Sequence, residues 1–248
     1  MRVGWLMDKG NADGSVGGAE MTMREFALAA PDDVEIVPMD PGQVGEADRY
    51  VIGNCVTYAV QDLWPTLERP AFKYWNDTGP HLDPRVADEL YRHTTPIFCS
   101  PLQAKRMGFP DGVCIPPALN LVPFREAAQE AGERRGSVTV GAWMNWGKSP
   151  ERAREVAPDV EFFGSGPCAP AGSVAVDYEA LPELLARYRT FIHLPSVLEP
   201  FGRAVVEAWA AGCAIVTNRL VGARYWIEDQ PLKLDTAATD FWDTVTTG

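Results

Sequence analysis

The sequence predicts an α/β protein built of two doubly wound halves, each a mostly parallel sheet flanked by helices. Three observations predict it. Short runs rich in β-branched and aromatic residues alternate with helix-like segments, which is the pattern of βαβ units. The alternation breaks once, at Pro116-Pro117 and the charged stretch after it, and then restarts. The chain has 248 residues, enough for two domains at roughly 100–200 residues each.

In the first half, Arg2–Met7 is an apolar strand, and Gly17-Gly18-Ala19-Glu20 opens a helical stretch through Ala29. Val34–Val37, Arg49–Ile52 and Ala71–Trp75 are short β-type runs, the last closed by the turn Asn76-Asp77-Thr78-Gly79-Pro80. Asp83–Arg92 is helical, with Pro84 suited to a first turn. Thr95–Cys99 is a strand, Leu102–Met107 a short helix and Gly112–Ile115 a strand. Glu126–Arg135, charged and glycine-containing, is the linker candidate. Beyond it come a strand at Ser137–Ala142, a helix at Pro150–Val156 and a strand at Val160–Phe163 that ends in Gly164-Ser165-Gly166-Pro167. A helix at Leu181–Tyr188, a strand at Thr190–Leu194, a helix at Arg203–Ala211 and a strand at Ala214–Thr217 follow, with a short last helix at Phe241–Val245. The expected domains are residues 1–122 and 123–248. Two such domains facing each other bind ligands at the carboxyl ends of their strands.

Composition narrows the functions. Lys plus Arg number 22 against 34 Asp plus Glu, a net charge of −12. That counts against a general nucleic-acid-binding surface and against a polybasic membrane anchor. The one short basic patch, Gln103-Ala104-Lys105-Arg106-Met107, reads as the solvated face of a helix. No apolar run reaches the roughly 18–20 residues of a membrane span, and Lys9 brings charge too early for a secretory signal. A cytoplasmic protein is expected. The five cysteines are odd in number and form no CxxC pair, so they suggest neither a disulfide framework nor a zinc site. Cys99, Cys114 and Cys213 read as small core residues. His81, His93 and His193 have no metal-ligand spacing.

The informative stretch runs from Phe191 to Gly212. A strand ends at Pro195-Ser196, a loop carries Glu199-Pro200-Phe201-Gly202, and a helix follows with Glu207 in its second turn. Unpaired N–H groups at such a helix start suit a diphosphate. A carboxylate accepts from two vicinal hydroxyls, as a sugar presents them. A glutamate before a helix also serves the helix dipole, and a mid-helix glutamate is commonly solvated. Glu207 differs in lying beside Ala208, Ala210 and Ala211, where a carboxylate needs a partner.

Pro195-Ser196-(x2)-Glu199-Pro200-Phe201-Gly202-(x4)-Glu207-Ala208 resembles the Glu-x7-Glu signature of family 4 retaining glycosyltransferases of the GT-B fold. Gly17-Gly18-Ala19-Glu20, the segment Ile115–Phe124, the loop Gly141–Lys148, the Gly164-Ser165-Gly166-Pro167 turn and Val221-Gly222-Ala223 resemble further parts of that family, in its order, although the chain is unusually short. The resemblance implies a nucleotide-diphosphate sugar as co-substrate, of UDP, GDP or ADP type, with no metal and no other cofactor. By it, Glu207 would bind the ribose and Glu199 the sugar hydroxyls. Lys148 would meet the diphosphate, and backbone around Ser196, Phe201, Gly202 and Arg203 the sugar or phosphate. Gly17, Gly18, Gly141 and Gly164 would let backbone approach the donor, and Asn76 and Asp77 would stand where relatives carry a His-Asp pair near the reacting sugar. The catalytic set is thus Glu199, Lys148, Asn76 and Asp77, acting by front-face displacement.

There are departures from the family pattern. Ala142 stands where an Arg usually follows the glycine, with Arg203 or Arg219 as substitutes. Tyr225 and Trp226 occupy the region of a usual glutamate. Trp143 and Trp146 serve either stacking on the ligand or core packing, and Asp8 and Lys9 either touch an acceptor or form a solvated turn. Alternative readings are a nucleotide-sugar-binding module without catalysis and a nucleotide-sugar epimerase on the same fold. The acceptor is open.

Overall fold

The computed structural model describes residues 1–6, 18–39, 44–53, 70–76, 91–143 and 146–248. It divides into two units, Met1–Leu119 with Gln230–Gly248, and Asn120–Asp229. No helix among the described residues is long and apolar enough to cross a membrane.

The first unit holds strands β1 (Arg2–Leu6), β2 (Glu35–Met39), β3 (Arg49–Ile52), β4 (Ala71–Trp75), β5 (Thr95–Phe98) and β6 (Val113–Cys114). They form one sheet in the order β2-β1-β3-β4-β5-β6, with every pairing parallel. Helix α1 (Gly18–Leu28) follows β1, and α2 (Pro101–Arg106) follows β5. Pro38 lies in β2, an edge strand, where a missing N–H costs no ladder bond. Ser100 caps α2 through its side chain on the Gln103 N–H, Pro101 opens its first turn, and Lys105 and Arg106 are exposed while Gln103 and Ala104 are buried. The basic patch is thus a solvated helix face.

The last helix of the chain belongs to this unit. It runs over Lys233–Thr247, not only Phe241–Val245, and the second domain expected to reach residue 248 therefore gives up its end. Leu234, Ala237, Phe241, Trp242 and Val245 form its buried stripe at helical spacing. Phe241 stacks on Phe26 with ring centroids 4.1 Å apart, Trp242 lies 5.8 Å from Trp5, and the Trp242 indole N–H donates to the Phe26 carbonyl at 2.8 Å. These contacts between the two ends of the chain are what place it there.

The second unit holds β7 (Arg135–Val140), β8 (Glu161–Phe163), β9 (Tyr188–His193) and β10 (Ala214–Thr217) in the order β10-β9-β7-β8, again all parallel. Its helices are α3 (Val122–Glu130), α4 (Pro150–Val156), α5 (Leu181–Ala186), α6 (Arg203–Ala210) and α7 (Ala223–Asp229). The charged segment Glu126–Arg135 is not a linker. Pro123 opens α3, Phe124 is buried and lies edge-on 6.3 Å from Tyr178, and the segment ends in β7, where Arg135 donates to the Tyr188 hydroxyl at 2.6 Å. Charge on the outer face of an amphipathic helix had the look of a connector. Cys99 and Cys213 are buried, and Cys114 is half-buried, its thiol pushed up to about 11 by burial.

Candidate functional site

In an open parallel sheet the crevice forms where successive connections leave in opposite directions, at the carboxyl ends of two adjacent strands. In the second unit those strands are β7 and β9. The chain leaves β7 for β8 on one side and β9 for β10 on the other. The loop after β7 ends in a single 3-10 turn, Trp146–Lys148, and the loop after β9 carries Leu194–Gly202.

The two loops are tied together. The Ser196 N–H donates to the Gly147 carbonyl at 2.9 Å, and the Ser149 hydroxyl donates to the Ser196 hydroxyl at 2.7 Å. The Pro195 carbonyl accepts from Asn218 at 2.8 Å and Arg152 at 3.3 Å. Glu199 is pinned through its backbone to the loop after β10: its N–H donates to Leu220 at 2.8 Å, and its carbonyl accepts from Gly222 at 3.0 Å. Ser149 holds φ 45° and ψ 56°, the single positive φ outside glycine among the described residues. Such a conformation costs of order 1–2 kcal/mol, and here it sits where the chain turns from Lys148 into α4.

These ties bring Lys148 Nζ onto Glu199 Oε2 as an ion pair between side chains that are 24% and 19% exposed. His193 Nε2 lies 3.6 Å from the same oxygen. Burial pushes the Glu199 carboxyl up, but the donor His193 and the positive charge of Lys148 outweigh it and hold the group down at about 2. Glu199 is therefore a carboxylate at every ordinary pH.

Helix α6 opens on Gly202, whose φ of 90° and ψ of 69° favour a residue without Cβ. An added Cβ would also stand 3.2 Å from Val221 Cγ1. One turn in, Arg203 and Glu207 face each other at 3.6 Å, and the Tyr178 hydroxyl donates to Glu207 Oε1 at 3.0 Å. Arg203 in turn reaches the Tyr178 oxygen at 3.4 Å. Glu207 is 3% exposed, so the partner demanded by its apolar helix exists. Burial still raises the Glu207 carboxyl above its ordinary value, against the opposing pull of Arg203 and Tyr178. Burial and the nearby Glu207 charge push the Tyr178 phenol up to about 12.

Of the residues singled out in the sequence, Lys148, Ser196, Glu199, Gly202, Arg203 and Glu207 gather in these loops and on α6. Phe201 points its ring into the core, and its carbonyl accepts from the Ala223 N–H at 2.8 Å. Gly141 and Gly164 serve each other: Gly164 has φ 110°, and a Cβ on it would lie 2.0 Å from the Gly141 carbonyl oxygen. Trp143 is core, 1% exposed, its indole donating to the Phe163 carbonyl at 3.2 Å. Gly18 is the exposed first residue of α1 in the first unit, and Asn76 follows β4 there. The Asn76 side-chain nitrogen is buried without a hydrogen-bond partner among the described residues. Gly17, Asp77, Asp8 and Lys9 lie outside the described residues, as do Cys55 and His81. No group of three or more metal-ligating side chains occurs among the described residues.

Three contributors escaped the sequence reading. Tyr178 sits in a 3-10 turn, Tyr178–Ala180, far from Glu207 in the chain, and no spacing signals it. His193 was visible only as a histidine without metal-ligand spacing, although it closes the strand that feeds the loop. Ser149 gave no signal before its backbone conformation was known.

Residues 173–231 match the family model for glycosyl transferases group 1. That match covers β9, the Glu199 loop, α6, β10 and α7, and leaves out Lys148 and Ser149. Compared with curated proteins, the sequence has no match. Among solved structures the chain is similar to HepE of Anabaena in complex with UDP and glucose, at 15% identity over 100% of this chain and 95% of that one, TM-score 0.66. It is similar to AviGT4, a glycosyltransferase involved in avilamycin A biosynthesis, at 13% identity over 98% and 88%, TM-score 0.67. It is similar to WaaG, a glycosyltransferase involved in lipopolysaccharide biosynthesis, at 13% identity over 99% and 100%, TM-score 0.59. The chain shares the GT-B fold of these structures, with a Rossmann-like sheet in each unit.

Proposed function

We propose that the protein is a retaining glycosyltransferase that moves a sugar from a nucleotide-diphosphate sugar to an acceptor hydroxyl. The reading is carried by the meeting of Lys148 with Glu199 at the β7/β9 switch point, with buried Glu207 on the helix that leaves the same loop.

The chemistry follows from charge. Breaking the bond between the anomeric carbon and the diphosphate oxygen builds negative charge on the leaving group. Lys148 and the amides that open α6 stabilise that charge where it develops. The Lys148 ammonium has three donors to offer the phosphate oxygens. The charge is supplied by this lysine, and the reading needs no metal. Glu199, ionised throughout, accepts from donor-sugar hydroxyls, and Glu207 accepts from the ribose, held by Arg203 and Tyr178. The acceptor oxygen attacks the anomeric carbon on the face the diphosphate leaves, forming the new C–O bond. Its proton passes to the departing diphosphate. The products are a glycoside of retained configuration and a nucleoside diphosphate. HepE was solved with UDP-glucose, so a UDP-sugar is the first donor to test, followed by GDP- and ADP-sugars.

Glu207 gives the sharpest test. Removing a buried carboxylate that takes two ribose hydroxyls is expected to weaken donor binding at least tenfold, about 1.4 kcal/mol. Titration calorimetry of UDP-, GDP- and ADP-sugars against wild type and Glu207→Ala measures it. Unchanged affinity in the variant contradicts the ribose assignment.

A further inference from the structure

Glu199 keeps a negative charge where little water reaches it, and two donors flank its Oε2 atom. Lys148 occupies that oxygen in the ligand-free protein. The second donor is His193, the last residue of β9, 6% exposed, with Nε2 at 3.6 Å. That distance is just beyond a made hydrogen bond, and Nε2 is buried with no hydrogen-bond partner among the described residues. A buried donor left unpaired is rare and costly in folded proteins. The ring lies 6.5 Å from the Phe191 ring at an interplanar angle of 30°, and the backbone is tied where the His193 carbonyl accepts from the Thr217 hydroxyl at 2.8 Å. With a carboxylate oxygen in front of it, Nε2 carries the hydrogen, because a lone pair there would face a negative charge.

The geometry points to His193 as a positioning residue for Glu199, whose Nε2–H closes on the carboxylate when Lys148 turns to the diphosphate of a bound nucleotide. The inference rests on the reading of Lys148 as the diphosphate ligand. Phosphate oxygens draw the lysine ammonium away, and a buried carboxylate that loses its counter-charge pays heavily unless another donor arrives. His193 needs to approach by only roughly half an ångström to become that donor. In the free protein it shares Glu199 with Lys148, and in the UDP-bound protein it is the donor that remains on that carboxylate.

UDP without a sugar is the right probe, because it engages Lys148 and brings no sugar hydroxyls to Glu199. In wild-type protein with 15N-labelled histidine, which has three histidines in all, His193→Gln assigns the His193 signals. Saturating UDP is expected to move the His193 Nε2–H proton downfield and slow its exchange. By calorimetry, His193→Leu is expected to weaken UDP binding about tenfold, the scale of a buried ionised acceptor left unmatched. His193→Gln, whose amide N–H also donates, should stay within about threefold of wild type. UDP binding with unchanged His193 signals, or equal losses in the Leu and Gln variants, overturns the inference while leaving the donor site standing. A wild-type protein that binds none of UDP, GDP or ADP overturns the donor site, and this inference with it.

Discussion

Glu199 and Glu207 share one loop–helix unit, yet their surroundings push their acidities apart. Lys148 and His193 prevail over burial at Glu199 and hold it at about 2, while burial prevails at Glu207 and raises it. Each shift carries a pH signature. A carboxylate with a depressed folded-state value contributes stability that is present above its unfolded value, near 4.3, and lost as pH falls through about 2. The stability difference between wild type and Glu199→Gln is therefore expected to favour wild type at neutral pH and to shrink across that acid window. Urea unfolding at several pH values reads it. For Glu207 the sign is reversed: the neutral form persists to higher pH in the fold than in the open chain. Ribose binding needs the carboxylate, so nucleotide affinity should fall on acidification while ordinary surface carboxylates are still ionised. That limb should vanish in Glu207→Gln. An affinity that is flat with pH in wild type contradicts the assignment.

At the scale of elements, the loops after β7, β8 and β9 are fitted backbone to backbone. Gly164→Ala would place a methyl group 2.0 Å from the Gly141 carbonyl oxygen at a φ of 110°. Its expected cost is several kcal/mol, on the scale of strained positive-φ sites and overpacking combined, read as a lowered melting temperature. Much of this level was legible beforehand. Ala71–Trp75, Pro150–Val156 and Ala214–Thr217 match their strands and helix to the residue, because apolar runs between turn residues, and Pro150 at a first turn, are local signals. Helix Lys233–Thr247 was seen only at its apolar end. Its first half, rich in Thr and Asp, has low intrinsic helix propensity and depends on tertiary and side-chain bonds such as Lys233 to Asp240 at 2.8 Å. In the site, Glu199 and Glu207 stand out by residue type and spacing, and Lys148 only by the family resemblance. Tyr178 and His193 do not, because one depends on a distant turn meeting α6 and the other on the loop after its own strand folding back onto it, which no local pattern encodes.

At the scale of the whole molecule, both ends of the chain belong to one unit, and Trp242 is the clearest anchor of that arrangement. It is 2% exposed, lies at 25° to Trp5 and donates to Phe26. Trp242→Ala is expected to destabilise that unit by about 3–5 kcal/mol, the usual range for emptying a buried aromatic site. Proteolysis at the C-terminal helix should then quicken, while an unchanged unfolding midpoint would contradict the anchoring role. Two Rossmann-like units are shared by many activities, so the claim that this one transfers a sugar rests on the Lys148–Glu199–Glu207 site alone. The most direct measurement is nucleoside diphosphate release from UDP-, GDP- and ADP-sugars by wild type, Lys148→Ala and Glu199→Ala. Release from one donor by wild type, lowered by about two orders of magnitude in both variants as expected for loss of transition-state charge stabilisation, is the result this site predicts. Release that is the same in all three proteins, or donor bound but never turned over with any acceptor hydroxyl supplied, would contradict it.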